Sequence, residues 1–197
     1  MLDVFLREVP NEVRSALDVG CGRGIVGALL RIYREPEIMV GIDAFEPYLD
    51  FCRKIGTYTQ LMKRDLRLIP LPFDKSEFDL SVALEVIEHL PKLDGLHLLD
   101  ELERVSRRVI VSTPNRYFVQ SPCDGNIHQR HLSNWTVQDF RRRNYSVLGV
   151  GNLMILGREI KYLSYAFSRM TLPVPALSSC IMAVYQAKRA SNRRATK

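Results

Sequence analysis

Apolar and polar positions along this chain follow two rhythms in turn. Short, nearly continuous apolar runs recur at 16–19, 38–42, 59–63, 78–84 and 108–111, lengths suited to strands buried on both faces. Between them, residues 26–33, 46–55 and 93–105 carry apolar side chains at helical spacing. Strands alternating with helices predict a mainly parallel sheet covered on both faces, a three-layer αβα fold. Toward the C-terminus, 145–150 and 181–186 read as the last two strands, and the stretch between them is too long for a hairpin. Within it, residues 158–170 have helical periodicity, with Ile160, Leu163, Phe167 and Met170 on one apolar face. This predicts an inserted helical cover over an acceptor pocket at about 152–178, with a membrane-contacting or dimer surface as the rival reading. The domain then spans 1–187, followed by a basic, disordered tail at 188–197.

The first strand runs into A-L-D-V-G-C-G-R-G-I-V-G at 16–27. Gly20, Gly22, Gly24 and Gly27 allow backbone to approach a ligand closely, and a helix starting near Gly24 aims free N–H groups at the same spot. That is a nucleotide-type cleft. Residues 22–27 also match the dinucleotide pattern G-x-G-x-x-G, so a nicotinamide cofactor is one candidate. Asp18, two places before Gly20, would crowd a pyrophosphate and suits a cationic nucleotide-like ligand, S-adenosylmethionine. Asp43 closes the second strand where a carboxylate can accept both ribose hydroxyls, a spacing that serves either cofactor.

Composition changes this picture little. At 197 residues, 46% hydrophobic and 25% charged, the chain is ordinary for one α/β domain. Cys21, Cys52, Cys123 and Cys180 form no C-x-x-C pair, which argues against a zinc site or a disulfide framework and for a cytoplasmic protein with reduced thiols. There is no signal-like start and no run of 18 apolar residues, so no transmembrane segment is expected. The net charge of +6 gathers at Arg104, Arg107 and Arg108, at Arg141, Arg142 and Arg143, and in the tail. Such clusters either bind RNA or another anionic surface or are simply solvated.

Candidate chemistry follows the fourth strand, in E-V-I-E-H-L-P at 85–91. Glu85, Glu88 and His89 stand at i, i+3 and i+4, so a helical turn would aim all three into the carboxyl-end crevice. In one reading the glutamates contact the cofactor and the histidine packs locally. In the other they join His128 or His131, beyond S-T-P-N at 112–115, around a divalent ion such as Mg²⁺ or Mn²⁺. For a hydroxyl acceptor, Glu88 or a histidine is the candidate catalytic base; for an amine or carbon acceptor the metal reading fails and His89 or His128 is the candidate.

The stretch D-V-G-C-G-R-G resembles the first motif of class I S-adenosylmethionine-dependent methyltransferases, the small type-11-like domain in particular. The resemblance continues in Asp43, in R-D-L at 64–66, and in the F-D-L opening of the fourth strand. It implies a Rossmann-like sandwich whose mainly parallel seven-stranded sheet ends in an antiparallel strand. It also implies that Asp65 and Leu66 line the adenine pocket and that Glu85 contacts the cofactor. E-V-I-E-H is similar to the corresponding stretch of quinone-biosynthesis O-methyltransferases and of small-RNA 3′-terminal 2′-O-methyltransferases. The RNA enzymes share, in addition, T-P-N, here 113–115, and H-x-x-x-W-T, here 131–136. They imply a metal set of Glu85, Glu88, His89 and His131. The expected function is O-methylation of a small molecule with an apolar or aromatic part. RNA 2′-O-methylation is the alternative, opposed by the lack of the extra RNA-binding region of larger members. An NAD-dependent oxidoreductase and a silent cofactor-binding subunit are the other classes. Silence is opposed by the presence of Asp18, Asp43 and Asp65, and His97, Cys52 and Cys123 are read as structural or surface residues.

Overall fold

The computed structural model of the protein describes residues 1–116, 120, 125–155, 158–160 and 172–187. Its eight strands are β1 (Ser15–Val19), β2 (Ile38–Asp43), β3 (Gln60–Lys63), β4 (Phe78–Leu84), β5 (Ser106–Pro114), β6 (Ser146–Ile155), β7 (Arg158–Ile160) and β8 (Ser178–Gln186). They form one sheet in the order β3-β2-β1-β4-β5-β8-β6-β7. Strands β1 to β5 pair in parallel, while β8 runs antiparallel between β5 and β6. The described helices are α1 (Leu2–Glu8), α2 (Ile25–Tyr33), α3 (Glu46–Ile55), α4 (Lys92–Val105) and α5 (Val137–Arg141).

Strand residues alternate between two cores, as a two-residue period requires. Leu17, Val19, Val40, Ile42, Val109 and Val111 pack with Leu98, Leu99 and Leu102 of α4 and with Trp135 and Phe140. Ala16, Met39, Leu80, Val82 and Ile110 pack on the other face with Phe5 of α1 and Leu30 of α2. The Arg34 side chain ties α1 down by donating to the carbonyls of Leu6, Val9 and Pro10.

This is the expected α/β class, and the antiparallel last strand lies where the resemblance puts it. The expected helix at 158–170 is corrected at its start. Leu153, Met154 and Ile155 pair with Ile160, Glu159 and Arg158, which gives the backbone sheet partners and adds a short eighth strand. The rest of that stretch, Cys123 and the basic tail lie outside the described residues. Strand order reverses between β1 and β4, which opens a crevice beyond their carboxyl ends.

Candidate active site

The crevice is a cleft of about 590 Å³. Gly20, Gly22, Asp43, Asp65, Leu66, Glu85, His89 and His128 line it, together with Tyr48, Val86 and, from a strap at residues 126–132, Asn126, Ile127, Gln129, Arg130 and Leu132; Glu88 and His131 lie behind this lining. Gly20 sits at φ +68°, and a Cβ there would lie 2.5 Å from the Val86 side chain, so the first turn needs glycine on both counts. Asp43 fixes the turn from the side: its carboxylate accepts from the amides of Gly22 (2.9 Å) and Phe45 (2.8 Å). A carboxylate has about four lone-pair sites, so capacity remains for ribose hydroxyls. The Asp65 carboxylate is held below its ordinary range by the paired Arg67 side chain and, more weakly, by the charge of His128.

Asp18 and Gly24 are not among the cleft-lining residues. Asp18 points to the α2 face of β1, is 1% exposed, and accepts a hydrogen bond from the Tyr58 hydroxyl (2.6 Å). The Tyr58 ring fills the space left by Gly27, where a Cβ would lie 2.6 Å from it. The last glycine of G-x-G-x-x-G therefore serves packing behind the turn.

Burial pushes the Asp18 carboxyl up to about 7, against the Tyr58 hydrogen bond that favours its charged form. The stability gained from protonating it is fully present below the ordinary value near 3.8 and is lost as pH rises through about 7. Asp18→Asn keeps an acceptor for Tyr58 and removes the charge. Relative to the parent, the variant is expected to gain about 1–4 kcal/mol between pH 4 and pH 8 in urea titrations. A difference independent of pH would contradict this role for Asp18.

Beyond β4 the chain turns sharply. Glu85 adopts φ +56°, and its carboxylate accepts from the Ser112 hydroxyl (2.6 Å). A short 3₁₀ turn, Ile87–His89, follows in place of the expected α-helical turn. It separates the glutamates: Glu88, His89 and His131 bring ligand atoms within 4.8 Å of one another, and Glu85 is not in that group. The proposed set of four is thereby reduced to three. Glu88 is 2% exposed, and neither carboxylate oxygen makes a well-formed hydrogen bond among the described residues, the Thr113 hydroxyl being the polar side chain that acts on it. Burial, reinforced by the charge of Glu85, pushes its carboxyl up to about 8.

His131 reaches this place because the strap is pinned. The amides of Leu132 (2.8 Å) and Ser133 (3.1 Å) donate to the Glu88 carbonyl. Buried Trp135 donates its indole N–H to the Ile87 carbonyl and the Ser133 hydroxyl, and Lys92 lies 3.6 Å above its ring. Thr136 caps α5 in a reciprocal box with Asp139. The H-x-x-x-W-T spacing thus has a mechanical meaning: an anchor and a helix start place a histidine. The His131 ring stands 5.0 Å from that of His89, edge to face. Burial lowers the pKa of His89, whose Nδ1 faces the Arg130 carbonyl at 3.1 Å.

His128 is exposed and acts on Asp65 rather than joining the cluster, so the structure separates it from the other two candidate bases. His97 is exposed on α4. Among the described residues of the basic clusters, four arginines form ion pairs: Arg104 with Glu101, Arg107 with Asp79, Arg108 with Glu8, and Arg143 with Asp100 and Glu103. Sequence reasoning missed Tyr48, Gln129 and Arg130, which lie in no motif. The only signal for the latter two was their place just before His131.

A methyltransferase-domain family matches residues 17–109, from β1 into β5. No curated protein sequence matches the chain. Among solved structures, the methyltransferase domain of bacterial CtHen1-CN is 25% identical with a TM-score of 0.56, over 94% of this chain and 95% of that one. The small RNA methyltransferase HEN1 is 17% identical with a TM-score of 0.62, over 96% of this chain but 25% of that one. Magnesium protoporphyrin IX methyltransferase from Synechocystis, solved with bound S-adenosylmethionine, is 15% identical with a TM-score of 0.57, over 95% of this chain and 76% of that one. Residues 17–109 thus match a methyltransferase domain, and a sheet of this order with a glycine turn held by Asp43 is consistent with a class I S-adenosylmethionine-dependent methyltransferase.

Proposed function

We propose that the protein methylates a hydroxyl on a small acceptor with an apolar part, using a divalent ion, Mg²⁺ or Mn²⁺, held by Glu88, His89 and His131. The observation that carries this is Glu88: a buried carboxylate whose oxygens make no well-formed hydrogen bond among the described residues, beside two imidazoles. Without a partner, burial favours the neutral form of this carboxyl, and a bound cation is the complement that would stabilise its anionic, ligating form. The donor set of one carboxylate and two imidazoles fits Mn²⁺ better than Mg²⁺, which prefers oxygen ligands.

Gly20, Gly22 and Asp43 would hold S-adenosylmethionine, with Asp65 and Leu66 at its adenine and Glu85 beside it. When bound, the cofactor supplies an electrophilic methyl and the ion lowers the pKa of the acceptor hydroxyl. His89 donates its Nδ1 hydrogen to the Arg130 carbonyl, which leaves the Nε2 lone pair available as a ligand. His131 is held on the opposite side by the pinned strap, so the two imidazoles fix where an acceptor oxygen can sit. Val86, Leu90, Ile127 and Leu132 line the cleft, with Ile127 71% and Leu132 52% exposed, an apolar lip for the acceptor.

RNA 2′-O-methylation is the second reading, favoured by the His131–Trp135 arrangement and by the likeness to a small RNA methyltransferase. The ion pairs of Arg104, Arg107 and Arg108 weigh against it, because those guanidiniums are already engaged by carboxylates. A radiolabelled methyl-transfer assay separates the two. Phenolic and other small hydroxyl acceptors are expected to accept methyl with Mn²⁺ and to stop in excess chelator. Labelling of oligoribonucleotides alone would favour the RNA reading, and full activity in chelator would remove the metal.

A further inference from the structure

The strap at residues 126–132 touches both ends of the cleft. At its start, Asn126 accepts from the His128 amide (3.0 Å) and shapes a short 3₁₀ turn, Ile127–Gln129. Gln129 then donates through Nε2 to the Tyr48 hydroxyl (3.0 Å). Tyr48 is nearly buried in the first turn of α3, edge to face against Phe45, whose amide is held by Asp43. That end therefore belongs to the cofactor wall. At the other end, the Arg130 carbonyl meets His89, and the amides of Leu132 and Ser133 meet Glu88. His131 lies between these attachments, two residues after Gln129.

A segment this short cannot shift at Gln129 without moving His131, because the intervening backbone has few soft torsions to absorb the change. A cofactor seated between Asp43 and Asp65 would lie against Tyr48, Ala44 and Leu66, all of which line the same cleft. We propose that the Gln129–Tyr48 hydrogen bond is a clasp through which cofactor occupancy sets the position of the His131 ring. Tyr48 and Gln129 are then positioning residues for the acceptor site. Given the metal site proposed above, on which this part rests, the cofactor and the ion bind cooperatively, each tightening the other by the same factor.

Histidine-ring NMR with S-adenosylhomocysteine tests the clasp without any metal. Saturation is expected to shift the His131 ring signals, identified by their loss in His131→Ala. The shift is expected to fall below half its size in Gln129→Ala and in Tyr48→Phe, which keeps the ring packed on Phe45. Manganese should raise S-adenosylhomocysteine affinity at least about fivefold in the parent and less than about twofold in the variants, within the usual range of coupling. Ring shifts of parental size in both variants, or no His131 shift in the saturated parent, would overturn the clasp. Failure of Mn²⁺ to bind the parent would instead count against the metal site and leave the metal-free ring shifts to decide the clasp. A merely structural role for Gln129 would lower thermal stability without changing those shifts.

Discussion

Glu88→Gln is expected to lower turnover by roughly 100-fold or more while leaving S-adenosylhomocysteine affinity within about threefold. The substitution keeps the side-chain volume and removes the one anionic ligand of the cluster. His131→Ala should behave in the same way, because it deletes one of two imidazoles while the glycine turn and Asp43 stay in place. His97→Ala, exposed on α4, should have no effect. Both expectations are read by initial rates with saturating cofactor, with Mn²⁺ affinity measured alongside. A fully active Glu88→Gln enzyme would return the residue to the role of a buried, protonated packing group.

Asp43→Ala should weaken S-adenosylhomocysteine binding by about 1–3 kcal/mol, the range for loss of a charged acceptor. The estimate joins two effects. The Gly22 and Phe45 amides lose their common acceptor, so the glycine turn loosens, and the ribose hydroxyls lose theirs. Asp43→Asn should fall between the two proteins, because its one carbonyl oxygen can serve either amide but not both. Calorimetry reads this directly, and the parent should bind S-adenosylhomocysteine more tightly than NAD. Unchanged affinity in Asp43→Ala would mean that the turn holds its shape and its ligand without this carboxylate.

The strands and helices were legible in the sequence wherever local pattern and burial agree. The helix at 46–55 and the strand at 78–84 coincide with α3 and β4 because Gly56 ends the first and both faces of the second are buried. The pattern was misleading at 158–160. A short amphipathic stretch satisfies a helical period and a strand period equally well, and the open edge of β6 decided between them. The surroundings of Asp18 were hidden for a related reason. Its position two residues before Gly20 is visible in the sequence, but the face of β1 it occupies depends on Tyr58, forty residues away. In the E-V-I-E-H stretch, helical spacing assumed one regular turn, which the structure does not form. The positive φ of Glu85 and the 3₁₀ turn after it send Glu85 to Ser112 and Glu88 to the histidines. The strap contacts of Tyr48 and Gln129 carry no sequence signal, because they join segments eighty residues apart through side chains common on any surface.

The most direct test of the proposed site is anomalous diffraction from crystals grown with S-adenosylhomocysteine and Mn²⁺. The account predicts an anomalous peak bounded by Glu88, His89 and His131, with the product's sulfur beside it and its ribose on Asp43. A map with the product in place, no peak in that cluster, and the Glu88 carboxyl turned onto the Thr113 hydroxyl would contradict it.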